Sequence, residues 1–175
     1  MSAPTDESLM VEVSRGDLAA FEQLVLRHQQ AVWQTAYRMV GDSQAAEDLA
    51  QEAFLRIFRA AGGYRPTAKF RTYLYRVVSR LCLDYLAKNR PVLEENLSRV
   101  AGPDANVEEQ AVIEEQSHEV RQAIAGLPAQ QRSAIVLRYY EGLSIAEIAE
   151  AIETTPKAVE RLLARGRAGL EKRLK

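Results

Sequence analysis

The sequence predicts an all-α protein of two small helical domains, the second a helix-turn-helix, joined by a flexible acidic linker. Apolar residues recur three and four positions apart along most of the chain, and no run of β-branched and aromatic residues alternates with a period of two. Of the 175 residues, 47% are hydrophobic and 27% are charged, which is a globular composition. The length suits one ordinary domain or two small ones, and a break in the helical pattern favours two.

Capping residues and glycines divide the first part of the chain into four predicted helices. These are a short helix over 6–15, a long one that Asp17 caps and Gly41 ends, a third from Asp42 or Ser43 to the Gly62-Gly63 break, and a fourth over 70–89 before Pro91. The apolar spacing of the third helix predicts a buried face made of Leu49, Ala53, Phe54, Ile57 and Phe58. We expect these helices to form one domain over residues 1–90.

Helical periodicity is lost after the fourth helix, where a glycine, a proline and several acids predict a linker over 91–106. When the pattern resumes, Pro128 is expected in the first turn of a helix over 129–141, which Gly142 ends. The second domain is therefore expected to span 107–175.

The end of the chain carries the pattern of a helix-turn-helix. Ser144 and Glu147 have the spacing of a capping box on the short helix SIAEIAEAI. A turn, ETT, follows, and Pro156 then opens a longer helix whose outer face is basic. A short helix, a tight turn and a basic second helix are typical of proteins that place the second helix in the major groove of DNA.

The net charge of −1 conceals blocks of alternating sign along the chain. Residues 56–90 hold nine basic residues against one acid, a net charge of +8, and residues 126–175 hold nine against six, a net charge of +3. Residues 6–52 and 91–125 each carry a net charge of −6. This partition predicts two cationic surfaces for a polyanion, separated by an anionic connector.

The sequence offers no pattern for catalysis, a metal or a cofactor, and none is predicted. Cys82 is the one cysteine and is expected to be a small core residue, while His28 lies on an apolar helical face without a second ligand at suitable spacing. No stretch reaches the roughly 18 apolar residues that a membrane span requires, and the first residues are acidic where a signal peptide would be basic. These features predict a cytoplasmic protein without membrane insertion.

The third helix carries an acidic face. Its segment AEDLAQEAFLRIFR places Asp48, Gln51, Glu52 and Leu55 on one side, with Arg56 beyond them. Paired carboxylates can ligate a metal or transfer protons, but no histidine, nucleophile or phosphate loop accompanies them. A docking face for a partner protein is therefore the favoured interpretation.

Residues 64–90 interleave aromatic side chains with the densest run of arginine and lysine in the chain. Tyr64, Tyr73 and Tyr75 lie among these cations, whereas Phe70 and Tyr85 are expected in the core. Cations neutralise phosphates and aromatic rings stack on unpaired bases, so the mixture suits a DNA strand that has left its duplex. The alternative is an ordinary amphipathic helix whose aromatic residues are all structural.

Three segments together resemble a known family. FEQLVLRHQQAVWQTAYRMVGDSQAAEDLAQEAFLRIFR, FRTYLYRVVSRLCLDYL and LPAQQRSAIVLRYYEGLSIAEIAEAIETTPKAVERLLARGR look like the second and fourth conserved regions of a bacterial extracytoplasmic-function sigma factor, the minimal two-domain class. The resemblance covers nearly the whole chain except the first residues and the linker. Each segment is moderately specific, and their order and spacing are highly specific.

The resemblance implies a division of roles. The third helix would dock on the coiled-coil clamp of the largest RNA polymerase subunit through Asp48, Gln51, Glu52, Leu55 and Arg56. The basic segment would capture and melt the minus-ten element through Tyr64, Arg65, Lys69, Arg71, Tyr73, Arg76 and Arg80. The final helix would read the minus-thirty-five element through Lys157, Glu160, Arg161, Ala164, Arg165 and Arg167, with its domain on the flap of the second-largest subunit. An anti-sigma factor wedged between the domains would silence the protein and could hold it at the membrane.

Two departures from the family pattern limit what can be transferred. Arg80 stands where an asparagine is usual, and Arg161 and Leu162 replace a serine and an arginine of the final helix. The promoter sequence is therefore not implied. Within the final helix we expect Arg161 to read a guanine and Glu160 a cytosine, while the remaining cations hold phosphates.

A stand-alone helix-turn-helix repressor is the alternative from another class, and an enzyme is a distant third. A repressor needs only the second domain. The first domain distinguishes the two hypotheses, because the function of a repressor would not require the acidic docking face or the aromatic and basic segment.

Overall fold

The computed structural model describes residues 2–89 and 118–175, and every regular element within these two ranges is helical. The first range contains α1 (Asp6–Ser14), α2 (Leu18–Val40), α3 (Ser43–Arg59), a 3₁₀ turn (Ala61–Gly63) and α4 (Phe70–Lys88). The four predicted helices are present, with boundaries that agree to within a few residues. The predicted linker, 91–106, lies outside the described residues.

Local chemistry accounts for the ends of these helices. The carboxylate of Asp17 accepts hydrogen bonds from the first backbone N–H groups of α2, and Asp42 caps α3 in the same way. Gly41 has a φ of 77°, in the left-handed region that favours glycine, and the chain leaves α2 there.

The four helices enclose one apolar core. On α2 the buried side chains include Leu24, Val32 and Met39, and on α4 they include Leu74 and Val78. The buried face of α3 consists of Ala46, Ala50, Ala53, Phe54 and Ile57.

Phe58, predicted in this core, is 39% exposed, so that prediction was wrong. Phe58 follows Ile57, the last buried residue of α3, and therefore faces away from the core. Its ring packs against that of Phe21 on α2, with centroids 4.9 Å apart.

The second range forms a second helical unit. It contains the helical residues 118–125 (α5), α6 (Ala129–Tyr139), α7 (Ile145–Ala151) and α8 (Pro156–Arg173). α6 begins one residue after Pro128, which has an extended ψ of 146° and acts as the cap. It ends two residues earlier than predicted, since the chain has already left the helix when it reaches Gly142, which has a φ of 67°.

The predicted helix-turn-helix is present as α7 and α8. Both hydrogen bonds of the capping box form, each 3.1 Å long, between Ser144 and Glu147. Thr155 caps α8 and Pro156 is its first residue. α8 packs on α6 and α7 through Val159, Leu163 and Gly166.

The two units contact each other. α4 packs against α7, and both α2 and α4 contact α6. Among the described residues no helix combines the length and the hydropathy that a membrane crossing requires.

Candidate polymerase and nucleic-acid interfaces

The predicted docking residues share one outer face of α3. Asp48, Gln51, Leu55 and Arg56 are exposed and Glu52 is partly so, and the side chain of Leu55 retains 45% exposure. Arg56 donates to Glu52 at 3.2 Å, which keeps the two charges side by side. The structure therefore brings the five residues together as an apolar centre with charged neighbours, a composition that suits a protein contact.

A groove that the sequence did not indicate runs beside this face. It has a volume of about 330 Å³ between α2 and α3, and it is lined by Trp33, Phe54 and Gln51 among others. Trp33 stacks on Tyr37 with centroids 5.3 Å apart. In the sequence, the only indication of this groove was the single tryptophan close to several glutamines of α2. Helical periodicity alone does not show that these side chains face α3.

The predicted minus-ten residues lie around the start of α4. The rings of Tyr64 and Tyr73 are partly buried with centroids 5.8 Å apart, and Phe70 is buried behind them. Burial raises the pKa of both tyrosines, so each ring stays neutral at physiological pH. Arg65, Lys69, Arg71, Arg76 and Arg80 are exposed around this aromatic pair.

An open cleft of about 800 Å³ lies between the rings of Tyr64 and Tyr73 and the helix-turn-helix. Tyr64, Tyr73 and Arg76 line one wall, while Glu150 and Glu153 line the other. The minus-ten candidates are thus gathered in one place, and acidic side chains of the second unit face them.

Tyr75 does not belong to this aromatic set. It is 1% exposed, and its hydroxyl donates to a carboxylate oxygen of Glu141 at 2.7 Å. Burial, followed by this hydrogen bond, raises the pKa of Tyr75 far above its usual range. Its interpretation as a residue that stacks on bases is not compatible with this position.

Several polar contacts join α4 to the second unit. Arg76 and Arg80 both pair with Glu153, at 3.3 and 3.2 Å. Thr72 donates to Glu147 at 3.2 Å, and the hydrogen bond from the Ser144 backbone is the largest cause that lowers the pKa of Glu147. Sequence reasoning missed these acids, because their only signal was the excess of positive charge on one segment.

The outer face of α8 presents the predicted minus-thirty-five residues. Lys157, Glu160, Arg161, Ala164 and Arg165 are exposed along it. On the opposite face Val159 and Leu163 are buried, while Leu162 and Leu170 are partly buried. Arg167 is exposed but leans back to Tyr139, whose hydroxyl lies 3.2 Å from its guanidinium.

His28 and Cys82 both have structural roles. His28 pairs with Asp6 at 2.9 Å at the edge of the core. Burial raises the pKa of the Cys82 thiol to about 12, which keeps it protonated and unreactive. Within residues 2–89 and 118–175, no group of three or more histidine, cysteine or acidic side chains could hold a metal ion.

Comparison with known proteins gives the family. Residues 24–92 match Sigma-70 region 2, and residues 117–170 match Sigma-70, region 4. The chain is 34% identical over 175 residues to the ECF RNA polymerase sigma factor SigW of Bacillus subtilis, with 94% of both chains covered. The protein belongs to the extracytoplasmic-function sigma factors. Members of this family are initiation factors that direct RNA polymerase to promoters, and this sigma factor has that function.

Other relatives and solved structures support the same family and fold. The sigma factor is 34% identical to the RNA polymerase sigma-H factor of Pseudomonas aeruginosa, covering 97% of this chain and 93% of the relative. Its fold resembles that of CnrH in complex with the cytosolic domain of CnrY, with a TM-score of 0.73, 27% identity and coverage of 97% and 96%. RpoE of Bartonella quintana, in complex with the anti-sigma factor NepR, shares the fold with a TM-score of 0.67 at 17% identity, covering 88% and 96%. A stand-alone repressor would not contain Sigma-70 region 2, so the match of residues 24–92 rules against the repressor hypothesis.

Proposed function

We propose that this sigma factor divides promoter recognition between its two helical units. Residues 1–90 dock on core polymerase and melt the minus-ten element, residues 91–106 connect the units, and residues 107–175 read the minus-thirty-five element. The observation that carries this proposal is the separation of three exposed surfaces: the mixed face of α3, the aromatic and cationic start of α4, and the basic face of α8.

The face of α3 is the proposed contact with the clamp of the largest subunit. Asp48 and Glu52 supply the charges and Leu55 supplies the apolar centre. Acids on one turn beside an exposed leucine favour a partner surface that is cationic at its rim and apolar at its centre. The helix-turn-helix unit is proposed to rest on the flap of the second-largest subunit.

Reversing both charges, with Asp48→Lys and Glu52→Lys, is expected to weaken binding to core polymerase about 100-fold, because like charges would then oppose at the interface. Fluorescence anisotropy of labelled sigma factor titrated with core enzyme measures the change. The matched control is Glu12→Lys with Glu22→Lys, which alters the net charge equally on α1 and α2. Wild-type affinity in the α3 variant would refute the assignment.

The start of α4 is the proposed minus-ten surface. Tyr64 and Tyr73 offer neutral ring faces at the cleft, and Arg65, Lys69 and Arg71 lie within reach of a phosphate backbone beside them, as do Arg76 and Arg80. Stacking on unpaired bases together with cations along the backbone is the chemistry of single-strand capture. We therefore propose that this surface captures the unpaired strand of the minus-ten element.

Tyr73→Ala is expected to slow open-complex formation about 10-fold, since an aromatic stack contributes roughly 1 to 3 kcal/mol per base. Tyr73→Phe keeps the ring and is expected to retain the wild-type rate. Permanganate reactivity of unpaired thymines, followed over time on a promoter selected with the wild-type holoenzyme, measures both. Equal rates for the two variants would remove Tyr73 from the capture surface.

We propose further that the protein works in the cytoplasm without catalytic residues of its own, since the polymerase supplies the chemistry. The complexes formed by CnrH and by RpoE support an anti-sigma factor as a regulator of this chain as well. Such a partner could hold the silent protein at the membrane.

A further inference from the structure

The first turn of α4 has no cap from its own N-cap residue. That residue is Lys69, whose backbone is extended, with a φ of −64° and a ψ of 136°, and whose side chain makes no capping hydrogen bond. A lysine side chain contains only donors, so it cannot satisfy the backbone N–H groups that begin a helix. The turn carries Arg71 and Tyr73 of the proposed minus-ten surface, so what holds the turn also holds part of that surface.

The missing acceptor comes from α1. A carboxylate oxygen of Glu7 accepts a hydrogen bond from the backbone N–H of Phe70, the first residue of α4, at 2.9 Å. The two residues are 63 positions apart in the chain. A carboxylate at this place also lies at the positive end of the helix dipole, which strengthens the contact. Glu7 therefore caps α4 from another helix.

α1 is itself fixed in the first unit, so Glu7 reaches α4 from a defined position. Three apolar side chains of α1 are buried: Leu9, Met10 and Val13. At the start of the helix, the carboxylate of Asp6 pairs with Arg27 at 3.1 Å and with His28 at 2.9 Å, both of which belong to α2. The residue before Glu7 is thus tied to α2, and the capping contact joins three helices.

α1 also borders the other flank of the minus-ten surface. It contacts the 3₁₀ turn Ala61–Gly63, which Tyr64 follows directly. The hydroxyl oxygen of Tyr64 is buried, and within residues 2–89 and 118–175 it has no hydrogen-bond partner. After burial, the charge of Glu7 is the largest cause that raises the pKa of Tyr64. Glu7 is therefore close to both residues that bound the loop 65–69, Tyr64 and Phe70.

The capped turn holds the ring of Tyr73. The backbone N–H of Tyr73 donates to the carbonyl of Lys69 at 3.3 Å and closes the turn that begins at Phe70. Phe70 is 1% exposed, and its ring contacts that of Tyr73 with centroids 6.3 Å apart. If the first turn unwound, the ring of Tyr73 would lose its support on Phe70 and its place beside Tyr64.

We propose that Glu7 is a positioning residue for the minus-ten surface: by capping α4 it fixes the first turn and holds the ring of Tyr73 in the orientation that receives an unpaired base. This inference rests on the minus-ten assignment under the proposed function. Glu7 precedes residues 24–92, the range that matches Sigma-70 region 2, so that match does not account for it. Its carboxylate contacts the helix backbone, and it therefore acts through Tyr73 and not on the DNA strand.

The test compares three single variants as holoenzymes. Glu7→Ala removes the acceptor, whereas Glu7→Gln keeps an oxygen that can accept the same hydrogen bond. Glu12→Ala is the matched control, because it removes an exposed acid of α1 that pairs with Arg15 at 3.1 Å. Permanganate reactivity is followed over time at several polymerase concentrations, on a promoter selected with the wild-type holoenzyme. This series separates initial promoter binding from the later isomerisation to the open complex.

We expect Glu7→Ala to slow the isomerisation step about 5-fold, which corresponds to the loss of about 1 kcal/mol of helix capping. Initial binding and the affinity for core polymerase are expected to stay at the wild-type level, because the face of α3 is untouched. Glu7→Gln and Glu12→Ala are expected to isomerise at close to the wild-type rate. A fraction of unfolded protein would lower the yield of open complex and leave its rate constant unchanged.

A second readout reports on the cap without DNA. Amide hydrogen exchange of the full chain, followed by mass spectrometry of peptides that cover residues 69–73, measures how often the first turn opens. We expect faster exchange in Glu7→Ala than in Glu7→Gln, Glu12→Ala and the wild type. Unchanged exchange in Glu7→Ala would show that Glu7 does not hold this turn and would overturn the proposal.

Tyr73→Ala on the same promoter distinguishes failure of this proposal from failure of the minus-ten assignment. A wild-type rate for Glu7→Ala beside a slow Tyr73→Ala would overturn positioning by Glu7 alone. Wild-type rates for both would remove the minus-ten assignment and the proposal with it. Equal slowing by Glu7→Ala and Glu7→Gln, or a parallel loss of affinity for core polymerase, would also overturn the proposal, since neither follows from a lost hydrogen-bond acceptor at α4.

Discussion

Arg132→Met is expected to lower the melting temperature of the protein by about 5 to 15 °C, which corresponds to roughly 2 to 4 kcal/mol of stability. The guanidinium of Arg132 donates to the backbone carbonyls of Ala125 and Leu127, at 2.7 and 2.8 Å, and to that of Met39. Ala125 is the last residue of α5, Leu127 lies two residues beyond it, and Met39 is in the last turn of α2, so one side chain satisfies carbonyl groups near helix ends in both units.

The size of the effect follows from what the substitution leaves behind. Burial lowers the pKa of Arg132, but a guanidinium remains charged at any physiological pH. Methionine preserves the aliphatic stem and removes the donors, so three carbonyl oxygens lose a charged partner in a partly buried place. Hydrogen bonds to a charged group contribute about 1.5 to 3 kcal/mol each, and those of one group are not additive.

Arg138→Met is the matched control on the same helix. Arg138 is exposed and donates to one carbonyl, that of Leu143, at 2.9 Å. We expect a loss of about 1 kcal/mol or less there. Thermal unfolding followed by circular dichroism at 222 nm measures both, and similar melting temperatures for the two variants would show that Arg132 is not a special link between the units.

Local chemistry made the helices and their ends predictable. Asp17, Gly41 and the Ser144–Glu147 box act through atoms within a few residues of themselves, and their hydrogen bonds form as expected. The exposed faces of α3 and α8 follow from the period of 3.6 residues, which sets direction around one helix without reference to any other.

Contacts between the units were not predictable from the sequence. Tyr75 and Glu141 are 66 positions apart, and Arg132 and Met39 are 93 apart. Helical periodicity tells which side of α4 is apolar, but it does not tell which acid of another helix will face it. For the same reason the position of Tyr75 was not predictable. A tyrosine among arginines is compatible with stacking on bases, and it is equally compatible with a buried hydroxyl that donates to a carboxylate. Only the packing of the second unit decides between these two positions.

Position on α8 separates residues that read bases from residues that hold the backbone. A helix-turn-helix contacts base edges mainly through the N-terminal part of its second helix. Arg161 and Glu160 are exposed there, whereas Arg167 lies about three turns from the start of α8 and already donates to the Tyr139 hydroxyl. An arginine can donate two hydrogen bonds to a guanine, and a contact with a phosphate carries no sequence information.

Arg161→Ala is therefore expected to weaken recognition of the preferred minus-thirty-five element by about 1 to 3 kcal/mol, roughly a 5- to 150-fold loss, and to abolish preference at one base pair. Arg167→Ala is expected to weaken all sequences by a similar factor, because it removes a phosphate contact. The measurement is transcription by holoenzyme from promoters with a randomised minus-thirty-five element, with transcript abundance read by sequencing. The wild type supplies the reference preference at each position. A uniform loss for Arg161→Ala, with every base preference intact, would assign Arg161 to the phosphates and leave the reader to be sought at Glu160 or Lys157.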